Sequence, residues 1–117
     1  MTYSLPSPQV KGLVELLRDC ENAYTSHPED ERLGLAVTHA QVAYYSKLAN
    51  EKRLLEQKNN VPFDQGTARN ASLLAQGYAE HDGIERPPKD VREIQPYVNK
   101  HGDIARRMLE EAQRQAA

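Results

Sequence analysis

The fold of this chain is decided by residues 29–58, whose sequence is EDERLGLAVTHAQVAYYSKLANEKRLLEQK. The stretch contains no proline and a single glycine, Gly34, and the sequence leaves open whether a helix is continuous past it. Its first turn is acidic and its later part is basic, a distribution that complements the helix dipole. About thirty residues rising about 1.5 Å each predict a helix roughly 45 Å long. A domain of this size has a radius of gyration of only about 13 Å, so we expect the helix to kink, to protrude or to pack along a partner of similar length.

This long helix is predicted to carry apolar residues on two opposite sides. One stripe comprises Leu33, Val37, Ala40, Tyr44, Leu48 and Leu55, flanked by Ala36, Ala43 and Leu54. The opposite stripe comprises Leu35, Val42, Tyr45 and Ala49. A helix at the edge of a bundle needs only one apolar face. The second face therefore indicates either that the helix is central to the fold or that it contacts another chain.

Helical periodicity also dominates the segment before this helix. Ser7 can cap a helix and Pro8 suits its first turn, so a first helix is expected to begin there. His27 precedes a proline, which disfavours the helical conformation and predicts the end of the helix. Its expected core stripe comprises Val10, Leu13, Val14, Leu17, Cys20 and Tyr24. The first two helices would form an antiparallel hairpin over a very short connection.

Two further helices are predicted in the C-terminal half. Asp64 is the expected N-cap of the third helix, and Gly83 is the glycine expected just after its C-terminus. The third helix has a small-residue face that permits close helix packing, made of Ala68, Ala71, Ser72, Ala75 and Ala79. Pro96 is predicted to start a separate short turn, and a last amphipathic helix is predicted to begin near Gly102.

These elements predict an all-α fold: an antiparallel helical hairpin with a long second helix, two further helices and a short irregular segment. We assign residues 1–117 to a single helical domain, because a chain of this length is too short for several cores. Residues 1–6 are expected to be a flexible N-terminus. Residues 84–89, which contain two consecutive prolines, are expected to be an internal linker.

The composition excludes several classes of protein. With 38% hydrophobic and 27% charged residues, the chain resembles an ordinary folded domain. No run approaches the roughly 18 to 20 apolar residues that a membrane span needs, and the N-terminus lacks the pattern of a secretory signal. The single cysteine, Cys20, allows no internal disulfide. We therefore expect a reduced, soluble, cytoplasmic domain with no membrane partner.

The residues with catalytic or metal-binding chemistry form no recognisable motif. His27, His39, His81 and His101 are scattered, and none stands at metal-ligand spacing from another histidine or from the cysteine. Cys20 falls on the apolar stripe of the first helix, where cysteine usually behaves as a small hydrophobe. We therefore expect no enzymatic activity, no cofactor and no metal.

The favoured hypothesis is a non-enzymatic interaction module that binds a protein partner or associates with itself. Its predicted contact residues are Leu35, Val42, Tyr45 and Ala49 on the second apolar face. Tyrosine is favoured at interfaces because its ring is apolar while its hydroxyl stays hydrated. Small helical proteins without catalytic motifs are common among phage and mobile-element accessory proteins, and this is the setting that we expect.

Two alternatives remain open. The first is a nucleic-acid-binding domain that uses Lys100, Arg106 and Arg107, although a net charge of −2 offers no bulk attraction to phosphate. Residues 91–109 resemble a helix-turn-helix in outline only, with the turn at residues 99–102. The second alternative is a small-ligand pocket between helices that is lined by tyrosines.

Overall fold

The computed structural model of the chain describes residues 7–62 and 65–116, with four helices and no strand in those residues. The helices are α1 (Pro8–Ser26), α2 (Glu31–Lys58), α3 (Ala68–His81) and α4 (Val91–Ala116). The predicted all-α class is therefore confirmed. None of these helices, in the part of the chain that is described, has an apolar stretch long enough to cross a bilayer.

The long helix α2 lies at the centre of a helical bundle. It contacts each of the other three helices and packs most extensively against α4. Its 28 residues run without interruption past Gly34, which lies in the first turn, so the question of continuity is resolved. Of the three arrangements expected for a helix of this length, the structure adopts the matched one, because the 26-residue α4 lies beside it.

Helix α1 begins and ends where its sequence predicts. Ser7 is the N-cap, its Oγ accepting a hydrogen bond from the Val10 amide at 3.2 Å, and His27 is the C-cap. The buried residues are Val10, Leu13, Leu16 and Cys20. The predicted stripe is therefore wrong at Tyr24, which is exposed, and it omitted Leu16. The buried arc is rotated towards Leu16, which packs against residues of both α2 and α4. Tyr24 instead lies at the surface over Gly34 of α2.

A long-range contact supports the start of α3. The helix begins at Ala68 with Thr67 as N-cap. Asp64, the predicted cap, lies outside the described residues. Thr67 makes no side-chain capping bond, and the Ala68 amide instead donates to Glu56 Oε1 of α2 at 3.0 Å. Gly66 makes this possible, because a Cβ there would lie 2.2 Å from the Glu56 carboxylate carbon.

The remainder of α3 follows the prediction. Its buried residues are Ala68, Ala71, Ala75 and Ala79, which are the alanines of the predicted small-residue face. Gly83 follows the C-cap with φ at +68°, a left-handed conformation that glycine adopts without strain. Residues 84–88 form no regular structure, as expected for the segment predicted at 84–89.

Helix α4 corrects the prediction of two separate elements. It continues through Pro96 and Gly102, so neither the short turn at Pro96 nor a new helix start near Gly102 exists. A proline inside a helix costs about 3 kcal/mol, but one buried stripe spans it and packs against α1 and α2. That stripe comprises Ile94, Tyr97, Val98, His101, Ala105 and Leu109. Gly102 is buried where α4 meets α1, and a Cβ there would lie 3.6 Å from Leu13 Cδ2.

Candidate functional site

Most of the predicted interaction face of α2 lies inside the chain. Val42 is fully buried against Ala79 of α3 and Tyr97 of α4. Ala49 is 8% exposed, and Tyr45 stacks on Tyr78 of α3 with 5.7 Å between the ring centroids. The assignment of Val42 and Ala49 to an intermolecular surface is therefore corrected, because packing within the same chain buries them. Tyr45 is half-buried, and its assignment stays a prediction. These residues identify α2 as the central helix.

Leu35 is the member of that set that remains exposed. It borders a surface groove of about 700 Å³ between α2 and α3, which α1 closes at one end with Tyr24. The apolar residues that line this α2–α3 groove are Tyr24, Leu35, Val37, Leu73, Leu74 and Tyr78. Helices α2 and α3 both contribute to its walls, and α3 supplies Leu73, Leu74 and Tyr78.

Exposed apolar side chains are concentrated at the α2–α3 groove. In residues 7–62 and 65–116, seven large hydrophobic residues are exposed, and four of them line it: Tyr24, Leu35, Leu73 and Leu74. Leu73 is the most exposed of all, at 52%. Apolar side chains scattered singly over a surface are ordinary, whereas a large contiguous patch is a candidate binding surface.

Two glycines also line the groove, and they differ in what surrounds them. A Cβ at Gly34 would lie 3.4 Å from the ring of Tyr24, so this glycine lets Tyr24 pack closely over α2. A Cβ at Gly77 would have no atom within 4 Å. Glycine inside a helix costs about 1 kcal/mol relative to alanine, and no contact within the described chain requires it at Gly77. Gly77 therefore leaves an open notch beside the exposed leucines.

The edge of the groove is polar. Thr38 donates a hydrogen bond from its Oγ1 to the carboxylate of Asp82, and His81 Nδ1 lies 2.8 Å from Asp82 Oδ1. These two hydrogen bonds lower the pKa of Asp82, so its charge is held at the rim. Glu31 and Gln41 also border the groove. An apolar centre within a polar rim is the usual anatomy of a protein interface.

The interior contains a histidine pair that sequence spacing did not reveal. His39 of α2 and His101 of α4 are 62 positions apart, yet their Nδ1 atoms lie 2.8 Å from each other. The rings are stacked, with 5.0 Å between centroids, and both residues are buried. The available signal was that His101 continues the apolar stripe of α4, but the predicted break near Gly102 concealed it.

Hydrogen bonding determines the protonation of this pair. Two Nδ1 atoms in contact require one donor and one acceptor. His101 Nε2 lies 3.0 Å from Glu85 Oε1, so its N–H donates to that carboxylate and its Nδ1 is the acceptor. His39 Nδ1 then carries the proton between the rings. Glu85 Oε1 also accepts from Lys100 Nζ at 2.6 Å, which connects the pair to the surface.

Burial favours the neutral form of both imidazoles. Desolvation is the main cause that lowers the pKa of His39 and of His101, although Glu85 opposes it in both. In residues 7–62 and 65–116, no group of three or more histidine, cysteine, aspartate or glutamate side chains could hold a metal ion. The hydrogen bond between the two rings joins α2 to α4.

The basic residues of α4 and the single cysteine lie outside the groove and the histidine pair. Lys100, Arg106 and Arg107 lie exposed on α4, where Lys100 bonds Glu85 and Arg106 Nη1 lies 3.0 Å from Asp103 Oδ1. Since α4 is continuous, the helix-turn-helix outline is wrong, and nucleic-acid binding by these residues stays a prediction. Cys20 is fully buried, and burial raises the pKa of its thiol to about 11. An inert thiol follows.

Comparison with known proteins identifies no relative of this chain. No protein family matches the chain, and no curated protein or solved structure matches it significantly. The α2–α3 groove and the buried histidine pair are therefore the features from which a function can be inferred.

Proposed function

We propose that this chain is a protein-interaction module that associates with a second copy of itself through the α2–α3 groove. The observation that carries the proposal is the open notch at Gly77 beside the exposed side chains of Leu73 and Leu74. This assignment retains Leu35 from the predicted contact set. It replaces Val42, Tyr45 and Ala49 with residues on the outer side of α3.

The spacing of these residues supports a symmetric pairing. Leu73 and Leu74 precede Gly77 by four and three positions, so all three share one side of α3. When two copies of α3 pack antiparallel about a twofold axis, the leucines of each copy reach the notch of the other. A twofold interface requires such self-complementarity, because both copies contribute the same patch.

The proposal also explains why α3 tolerates an unfavourable glycine. A side chain at position 77 would gain helix stability, and within the chain it would meet no other atom. A helix from a second copy is the kind of neighbour that needs this space, since small residues allow close approach of helix backbones. Closing the apolar groove would also remove its leucines from water.

The decisive measurement is molar mass by light scattering across a range of protein concentrations. We expect the wild-type chain to approach twice its chain mass of 13.2 kDa. The double variant Leu73→Glu/Leu74→Glu should remain at the single-chain mass with unchanged helicity, because both side chains are exposed and the added charges oppose each other in the dimer. A wild-type chain that stays monomeric at high concentration contradicts the proposal.

A matched control separates the groove from general surface hydrophobicity. Leu54 and Val91 are exposed to similar extents, 51% and 45%, but neither lines the groove. The double variant Leu54→Glu/Val91→Glu should therefore keep the wild-type mass. If this control dissociates as readily as the groove variant, the association does not depend on the α2–α3 groove.

A further inference from the structure

A second cavity lies between α2, α3 and the segment that precedes α4. Its volume is about 190 Å³, and it shares no residue with the α2–α3 groove. Its walls are mainly apolar and include Ala49, Ala68, Ala75, Pro87, Pro88 and Ile94. The cavity exists because the side chains of α3 that face it are small, and the two consecutive prolines form part of its wall.

One buried polar group in the lining has no protein partner. Ser46 of α2 is 4% exposed and lines the cavity, and its Oγ makes no hydrogen bond to any residue in 7–62 or 65–116. A buried hydroxyl without a partner is unfavourable for folding. The unpaired Ser46 hydroxyl thus lowers the stability of the unbound chain, whereas a molecule in the cavity could form a hydrogen bond with it.

The charges around the cavity are of one sign. Arg53 of α2 and Lys89 both line it, and neither forms an ion pair with any described residue. No described carboxylate lines it. The chain as a whole has a net charge of −2, so two unpaired cations at one small cavity run against its overall balance. They favour an anionic ligand.

We infer that this cavity binds a small carboxylate with an apolar body. Arg53 and Lys89 supply the opposing charge, the Ser46 hydroxyl supplies a buried hydrogen bond, and Ala75 and Ile94 contact the apolar part. A cavity of roughly 150 Å³ holds benzene, so a volume of about 190 Å³ suits a single ring that bears a carboxylate. The cavity is separate from the groove, and its test is therefore independent of self-association.

The test is a titration of the full chain with benzoate, followed through its backbone amide NMR signals. We expect saturable shifts at Ser46, Ala49 and Ala75. Benzyl alcohol has a similar shape without the charge, so it should bind at least about tenfold more weakly. The absence of saturable shifts up to tens of millimolar benzoate, or equal affinity for the two compounds, overturns the inference.

Charge variants identify the residues responsible. The double variant Arg53→Gln/Lys89→Gln should weaken benzoate binding by about tenfold or more. The matched control Arg18→Gln/Lys11→Gln removes the same two side-chain types from exposed positions of α1 and should leave the affinity unchanged. An equal loss in both variants would indicate attraction by net charge alone and would overturn the site.

A serine variant distinguishes a binding role from a structural one. Ser46→Ala removes the unpartnered hydroxyl, so the unbound chain should be as stable as the wild type or more stable. Its affinity for benzoate should nevertheless fall. A fall in stability together with unchanged benzoate affinity would assign Ser46 to the packing of the helices and would contradict the inference.

Discussion

Helix α3 buries its small residues and exposes its large apolar ones, the reverse of what the stability of an isolated bundle favours. The inner face buries small residues, Ala71, Ala75 and Ala79, against α2. The outer face exposes Leu73 and Leu74, which are among the largest apolar residues of the helix. Burying a leucine removes far more apolar surface from water than burying an alanine. A sequence selected only for the stability of the single chain would place these residues the other way round.

The proposed self-association would account for this difference, since α3 would then serve two separate demands. Its inner alanines allow close approach to α2, so Val42 becomes fully buried and Tyr45 stacks on Tyr78. Its outer leucines contribute little to that packing and instead form the α2–α3 groove. If the two faces are separate, substitutions on one should leave the other unperturbed.

The largest effect is expected on the inner side. Val42→Glu places a carboxylate at a fully buried position against Ala79 and Tyr97, which should lower the free energy of unfolding by about 3 kcal/mol or more. Leu74→Glu, on the outer side, should change it by less than about 0.5 kcal/mol. Urea unfolding at low protein concentration measures both. Equal destabilisation would show that the two faces do not differ in burial.

A change in side-chain size should destabilise the chain much more on the inner face of α3 than on the outer face. Ala79 is completely buried, so Ala79→Leu should overpack the contact with α2 and cost about 1–3 kcal/mol. Leu73→Ala removes a larger side chain, yet it should cost less than about 0.5 kcal/mol in the monomer. Thermal unfolding followed by circular dichroism compares the two. The distinction fails if Leu73→Ala is the more damaging change.

Acid should weaken the contact between α2 and α4. Burial lowers the pKa of His39 and His101 below 6.5, so the folded chain binds fewer protons there than the unfolded chain. Their contribution is fully present above about pH 6.5 and declines as the pH falls from there through their lowered folded-state values. The urea midpoint of the wild-type chain should therefore fall as the pH is lowered from about 7.5 to about 5.

The same measurement on His39→Leu/His101→Leu provides the control. With both imidazoles replaced, the decline over this range should become much shallower. The groups that face the pair from the other elements, Asp82, Glu85 and Lys100, remain in the variant. An unchanged pH dependence would show that the histidine pair is not its source.

The smallest effect concerns the notch. Gly77→Ala should raise monomer stability by about 0.5–1 kcal/mol through helix propensity but should weaken self-association by partly filling the notch. Gly12→Ala is the matched control, because Gly12 is also an exposed helical glycine with no atom near a built Cβ. It should show a similar gain without affecting association. An equal effect on association at both sites would remove Gly77 from the proposed interface.

Features that depend on neighbouring residues were predictable from the sequence. The Ser7 cap, the end of α1 at His27 and the left-handed Gly83 all follow from contacts within a few positions. The alanine face of α3 and the two-sided α2 followed from periodicity. For the candidate site, the sequence named Leu35 but did not identify the outer leucines of α3 as exposed.

Contacts between distant residues could not be predicted in this way. Glu56 caps Ala68, and His39 meets His101, only because the helices pack in one particular arrangement. Pro96 predicts a break in the helix because its local cost is real, but the packing of Ile94, Tyr97 and Val98 outweighs that cost. Periodicity reports that a side chain is apolar, not which neighbour covers it.

The sequence by itself determined the all-α class, the ends of α1 and the presence of two apolar faces on α2, since these depend on local propensity and spacing. The tertiary structure decided which apolar residues are covered. It buried Val42 and Ala49 beneath α3 and left Leu73 and Leu74 exposed beside Gly77. The physical reason is that burial is a property of pairs of helices, whereas periodicity is a property of one.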